Sequence, residues 1–392
     1  MYSNDDLNAA VAAGAISAEA ADALRHHVAA QRQAPLQDEE NFRLVTSFND
    51  IFVTIGVIIL LIAVGSIVAA AMPGTPGAGL LNTALSVGLP AAAVAATAWG
   101  LAEIFTRRRR MALPSIVLLL AFAGAAFLAA GSAVALPVFA IAGENLTATH
   151  QALSDQDSAG PGTASLLLAA ALTALAVRAH WRRFRVPITI AARAGIVTAA
   201  LVAAANLAMD WLAGTDAHLP NMLVIFAAGL GIFALAMRWD MSDRMRTTRR
   251  SDVAFWLHLL AAPLIVHPLF AALGVIGSGR EVGVLSALAV IAIYAVLTLA
   301  ALAIDRRALL VSALAYVLMA LTFLFDRFGA VELNFALTAL VIGSALLTLS
   351  AFWSSIRSAV LARLPDHWRA VLPPTVAASP AAPTEGASAT AV

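Results

Sequence analysis

The chain has 392 residues, 61% of them hydrophobic and 12% charged, whereas soluble domains carry about 45–50% apolar and about 25% charged residues. Such an apolar excess exceeds what one soluble core can bury, since cores stop growing at about 250–300 residues. Cysteine is absent and the net charge is +1, which excludes disulfides and thiolate metal sites and leaves no basic domain of the kind that binds nucleic acid. All 24 basic residues are arginine, and with the heavy use of alanine this points to GC-rich bacterial coding.

Residues 1–50 are polar and acidic and lack the basic start and short apolar core of a signal peptide. They read as a cytoplasmic helical segment followed by a linker. Asp5 to Ala13 suits a short helix, Gly14 a break, and Ser17 the N-cap of a second helix running to about Arg32. Leu7, Val11, Ile16, Leu24 and Val28 form a small apolar seam. So small a segment is not stable alone, so it is expected to pack on the membrane part or on a partner. The first long apolar run, from Ile51, reads as an uncleaved insertion signal.

A helix needs about 20 apolar residues to cross about 30 Å of hydrocarbon. Ten runs meet this, at 51–72, 79–105, 111–137, 164–181, 187–212, 219–239, 253–275, 282–304, 308–325 and 330–353. They are continuously apolar rather than alternating, so the expected fold is an all-α polytopic transmembrane bundle over 51–353 and not a barrel.

The arginines set its orientation. Arg107–Arg110 lie between spans 2 and 3, and Arg178, Arg182, Arg183 and Arg185 between spans 4 and 5. Arg238, Arg244, Arg246, Arg249 and Arg250 lie between spans 6 and 7, Arg306 and Arg307 between spans 8 and 9, and Arg357, Arg363 and Arg369 after span 10. The intervening loops hold only Arg280 and Arg327. This alternation places both termini in the cytoplasm of a bacterial inner-membrane protein. The acidic residues Glu144, Asp155, Asp157, Asp216, Glu281, Asp326 and Glu332 then face outward. Trp99, Trp181, Trp239, Trp256 and Trp353 fall near span ends, where interfacial anchors belong.

After span 10, residues 354–372 can place Ile356, Val360, Leu361 and Leu364 on one face with arginines off it, which suits an interfacial amphipathic helix. Residues 373–392 are rich in Pro, Ala, Ser and Thr and read as a disordered tail. Ten spans divide into five plus five, which would invert the halves as in many transporters, but no internal repeat is evident.

Ionisable groups inside spans are the best functional leads, because lipid makes them costly. Span 7 carries His258, Pro263, His267 and Pro268. Prolines disturb a helix, and a broken helix with two histidines could line a cavity or relay protons. The alternative is that each histidine bonds a neighbouring carbonyl while the prolines shape the bundle. Nine residues apart, the two histidines lie on opposite faces of an ideal helix, so they converge only if the prolines distort it. Span 5 carries Arg193, Asn206 and Asp210. Arg193 either snorkels to the inner interface or marks a pathway, and Asp210 is either solvated at the outer end or an ion site. Glu103 suits an i,i+4 pair with Arg107, while Asn82, Tyr294 and Asn334 suit interhelical hydrogen bonds. Glu144, His150, Asp155 and Asp157 match no cation-binding loop, so no metal or cofactor is assigned, and no acid–base pair marks a catalytic residue.

The segment Ala13-Gly14-Ala15-Ile16-Ser17 followed by Glu19-Ala20-Ala21, then a polar linker and a series of spans, resembles a family of bacterial polytopic membrane proteins with a short N-terminal cytoplasmic helical segment. The family has no established activity, so the resemblance implies a layout and no site residue. The expected function is that of an integral inner-membrane protein of transporter or permease type, with its pathway near spans 5 and 7. The alternative is a non-catalytic scaffold whose N-terminal segment binds a cytoplasmic protein; besides the lipid bilayer, the expected partners are that cytoplasmic protein or, as a homo-oligomer, further copies of the chain. An intramembrane enzyme acting on lipid or cell-wall material is the third reading.

Overall fold

The computed structural model describes residues 11–14, 16–24, 48–72, 80–142, 159–213, 218–244, 246, 248–274, 284–327 and 334–373. The chain divides into two units, one made of residues 1–42 and 374–392 and the other of Arg43–Pro373. In the first unit, Gly14 sits in a turn with φ of 68°, a conformation glycine adopts without steric cost. Ser17 caps the helix that follows, its hydroxyl accepting from the Ala20 amide at 3.1 Å. The expected helix start and break are therefore present; the tail after Pro373 and the rest of the apolar seam lie outside the described residues.

The second unit is helical in every described element. Its helices are α1 (Phe48–Ala70), α2 (Leu80–Ala102), α3 (Ala112–Ala142), α4 (Ala159–Phe184), α5 (Ile188–Ala213), α6 (His218–Met241), α7 (Arg249–Ala272), α8 (Val284–Ile304), α9 (Ala308–Arg327), α10 (Asn334–Ala351), α11 (Trp353–Ala362) and α12 (Asp366–Arg369). A π-helical turn, Glu103–Arg108, closes α2. A helix covers the body of each of the ten apolar runs. Eight of them are long and apolar enough to cross a membrane, or nine if the bent pair Ala336–Ala351 and Trp353–Ala362 counts as one span. Large apolar side chains such as Leu285, Leu347, Ile67 and Ile62 are more than 60% exposed on the bundle surface, a cost water would not permit on this scale. The protein is a multi-pass helical membrane protein.

The arginine-bearing connections share one device. Three of them, 109–111, 185–187 and 305–307, are three residues long. Arg110, Arg185, Arg246 and Asp305 have φ of 53–58°, and among the described residues they are the non-glycine positions with positive φ. Each stands in a different one of the four connections. At Arg185 and Asp305 the left-handed residue directly follows the helix, ending it and turning the chain back; α2/α3, α4/α5, α6/α7 and α8/α9 are helical hairpins whose members pack on each other.

The centre of the bundle is α7. Half of its apolar window is buried, against 17–33% for the other seven spans, and it packs on α5, α6 and α9. It runs unbroken from Arg249 to Ala272 with Pro263 and Pro268 inside it. Beside it, Gly229 of α6 lies so close that an added Cβ would stand 2.9 Å from the backbone carbonyl carbon of Leu264. Absence of a side chain is what lets the two backbones meet there.

Candidate functional site

The arginine end of α6–α10 holds a buried polar network. Asp240, in the last turn of α6, is its centre. Arg306, from the α8–α9 connection, grips the Asp240 carboxylate with two nitrogens: Nε donates to Oδ2 at 3.2 Å and Nη2 to Oδ1. Arg306 Nη2 also donates to the carbonyl and hydroxyl of Ser251 at 3.1 and 3.0 Å. His258 Nε2 donates to Asp240 Oδ2 at 2.8 Å, and its ring meets Phe233 edge-on at 5.3 Å. Arg306 is 2% exposed, Asp240 5% and His258 0%. A buried charge is tolerated only when paired and hydrogen-bonded, and each charge here has that support. One carboxylate thus joins α6, α7 and the α8–α9 turn.

A second cluster lies next to it in sequence and structure. Asp305 Oδ2 accepts from Arg246 Nη1 at 2.9 Å, and Arg246 Nη2 donates to the Asp305 and Ile304 carbonyls at 2.8 and 3.1 Å. Asp305 Oδ1 accepts from the Trp353 indole at 2.7 Å and stands 3.7 Å from Arg357 Nε. Arg357 and Arg244 reach the carbonyls of Pro373 and Leu372 at 2.6 and 2.9 Å. Asp243 fixes the start of α7, accepting from the Thr248 amide and hydroxyl at 2.9 and 2.6 Å.

These contacts hold α11 against the bundle. Its turn from α10 is 73°, and Leu361 is buried in a cluster with Leu302, Leu309 and Trp353, against which Ile356, Val360 and Leu364 pack. The apolar face expected for an interfacial helix exists, and the bundle itself covers it. Trp353, an expected interfacial anchor, is 3% exposed and works as a buried hydrogen-bond donor. Pro365 separates α11 from the short α12.

The residues expected to carry function are dispersed. His258 is locked to Asp240. His267, half-buried, lies nine residues on along the unbroken α7, so the two histidines project from opposite faces. Arg193 lines a cavity of about 320 Å³ between α5 and α6 with Val197, Leu201, Ile232 and Leu235. Asp210 belongs to α5, and its side chain lies outside the described residues, as do Glu144, His150, Asp155 and Asp157. Asn206 forms an interhelical bond, accepting from Asn221 Nδ2 at 2.6 Å. Glu103 pairs with Arg107 at 3.2 Å and, across the bundle, accepts Arg183 Nε at 2.6 Å.

Sequence reasoning missed Asp240, Asp305 and Asp243. A signal was present: they are acids on the side of the bundle that otherwise collects arginines. No protein-family model matches the chain, and neither a curated protein nor a solved structure matches it. The chemistry of the network is that of a clamp: the Asp240 and Asp305 carboxylates are each held by donors from other elements of the same chain.

Proposed function

We propose that the chain is a ten-span bacterial inner-membrane protein, both termini cytoplasmic, that serves as a non-catalytic scaffold. It belongs with the polytopic membrane proteins that carry a short N-terminal cytoplasmic helical segment. One observation carries the scaffold reading: the buried Asp240–Arg306–His258 network ties α6, α7 and the α8–α9 turn together at the arginine end. Alternating access needs one helical group to move against another, and a clamp of buried ion pairs opposes such motion. The α11–α12 segment, pinned through Arg244 and Arg357, extends that face as a fixed platform. The N-terminal segment, with its Ser17 cap and the half-exposed Leu24, is the part that meets a cytoplasmic protein partner.

The transport reading draws support from Arg193. It lines an apolar cavity between α5 and α6, and among the described residues it has no ion-pair partner. A deletion strain complemented with variants separates the two. For a scaffold, loss of residues 1–40 abolishes rescue at normal protein levels, while Arg193→Gln and His267→Ala rescue fully. The opposite pattern rejects the scaffold in favour of transport.

A further inference from the structure

The arginine ends of α8, α9 and α10 enclose a second cavity, of about 230 Å³. Leu310 and Leu314 of α9 and Leu346 and Leu349 of α10 wall it, and Tyr294 of α8 completes the wall. The spacing of 310 and 314, and of 346, 349 and 350, puts one stripe of α9 and one of α10 toward it. Arg307 and Trp353 stand at its arginine end.

Arg307 differs from its neighbours. Arg246, Arg306 and Arg357 each face a carboxylate, from Asp305 or Asp240. The guanidinium of Arg307 lies 4.9 Å over the Trp353 ring and has no carboxylate partner among the described residues. A cation–π contact orients the group without neutralising its charge. The Tyr294 hydroxyl is buried and without a hydrogen-bond partner among the described residues. The site therefore offers an apolar slot, an uncompensated cation where the span ends, and an aromatic ring that orients that cation.

We propose that this slot holds one acyl chain of an anionic phospholipid from the leaflet on the arginine side, with Arg307 at the lipid phosphate. Two features select this occupant. The volume, about 230 Å³, falls below the roughly 300–1,000 Å³ of sites for drug-sized molecules, so the slot takes the headgroup-proximal part of one chain and leaves the rest in the surrounding lipid. The walls are mainly leucine, with Tyr294 and Ser350 the neutral polar side chains among them, and offer a free inorganic anion no second charge beside Arg307, while a basic residue between spanning helices at the interface is the chemistry that holds lipid phosphates. The inference does not depend on whether the protein is a scaffold or a transporter.

The test is lipid retention by the full-length protein. It is purified in detergent, equilibrated with mixed phosphatidylglycerol and phosphatidylcholine micelles, and examined by native mass spectrometry. The wild-type chain should keep phosphatidylglycerol in preference to phosphatidylcholine. Arg307→Gln should reduce that preference roughly fivefold, the share of one interfacial arginine, and Arg110→Gln should leave it unchanged. Leu314→Trp fills the slot and should remove the bound lipid of either class; Leu346→Trp fills it from the other wall if the first variant fails to fold. An undiminished preference in Arg307→Gln, lipid retained in the filled variant, or displacement of lipid by excess inorganic phosphate would each overturn the proposal.

Discussion

Arg306 and Asp240 are 66 residues apart in sequence, yet the guanidinium Nε of one donates to the carboxylate Oδ2 of the other at 3.2 Å. Removing one partner leaves the other charge buried and unpaired, which costs about 3–5 kcal/mol. Asp240→Asn and Arg306→Met should therefore each lower the melting temperature of the purified protein sharply. The double variant Asp240→Asn with Arg306→Met should be less damaging than the two single effects summed, because no orphaned charge remains. Additive losses would mean that the pair contributes no coupling.

Gly229 is the close-approach point of α6 on α7, with the Leu264 carbonyl carbon 2.9 Å from where a Cβ would stand. Gly229→Ala should destabilise by about 1–3 kcal/mol, the usual cost of overpacking. Gly231, two residues on, has nothing within 4 Å of its virtual Cβ. Gly231→Ala should be neutral, and thermal unfolding of both variants in one detergent checks the contrast.

Asp305 carries the Arg246, Trp353 and Arg357 contacts and sits at φ of 58°. Asparagine tolerates that backbone conformation as well as aspartate does, so Asp305→Asn isolates the charge from the turn. The expected result is release of α11 from the bundle, read as faster tryptic cleavage after Arg363. Wild-type cleavage rates in Asp305→Asn would show that the apolar face alone holds α11.

The orientation is open to reporter fusions. Reporters placed between Arg244 and Arg250 and between Arg107 and Arg110 should report the cytoplasm, as should both termini. A periplasmic signal from the Arg244–Arg250 connection would reverse the assignment.

The sequence by itself determined that this is a helical membrane protein and where its helices lie. Hydrophobic length is a local property, and each of the ten apolar runs is met by a helix. Capping is local too, so Ser17 and the Glu103–Arg107 pair were legible. The clamp was not. In so alanine-rich a chain the helices carry little that says which faces meet, and Asp240 and Asp305 look like ordinary loop acids until the fold places Arg306 and Arg246 against them. Only tertiary structure decided that His258 serves Asp240 rather than His267, because two prolines in one helix do not say whether it bends. Nor could sequence separate Arg307 from Arg306. They are adjacent in the chain, and the turn of the backbone sends one to a buried carboxylate and leaves the other over an indole ring at the mouth of an apolar slot.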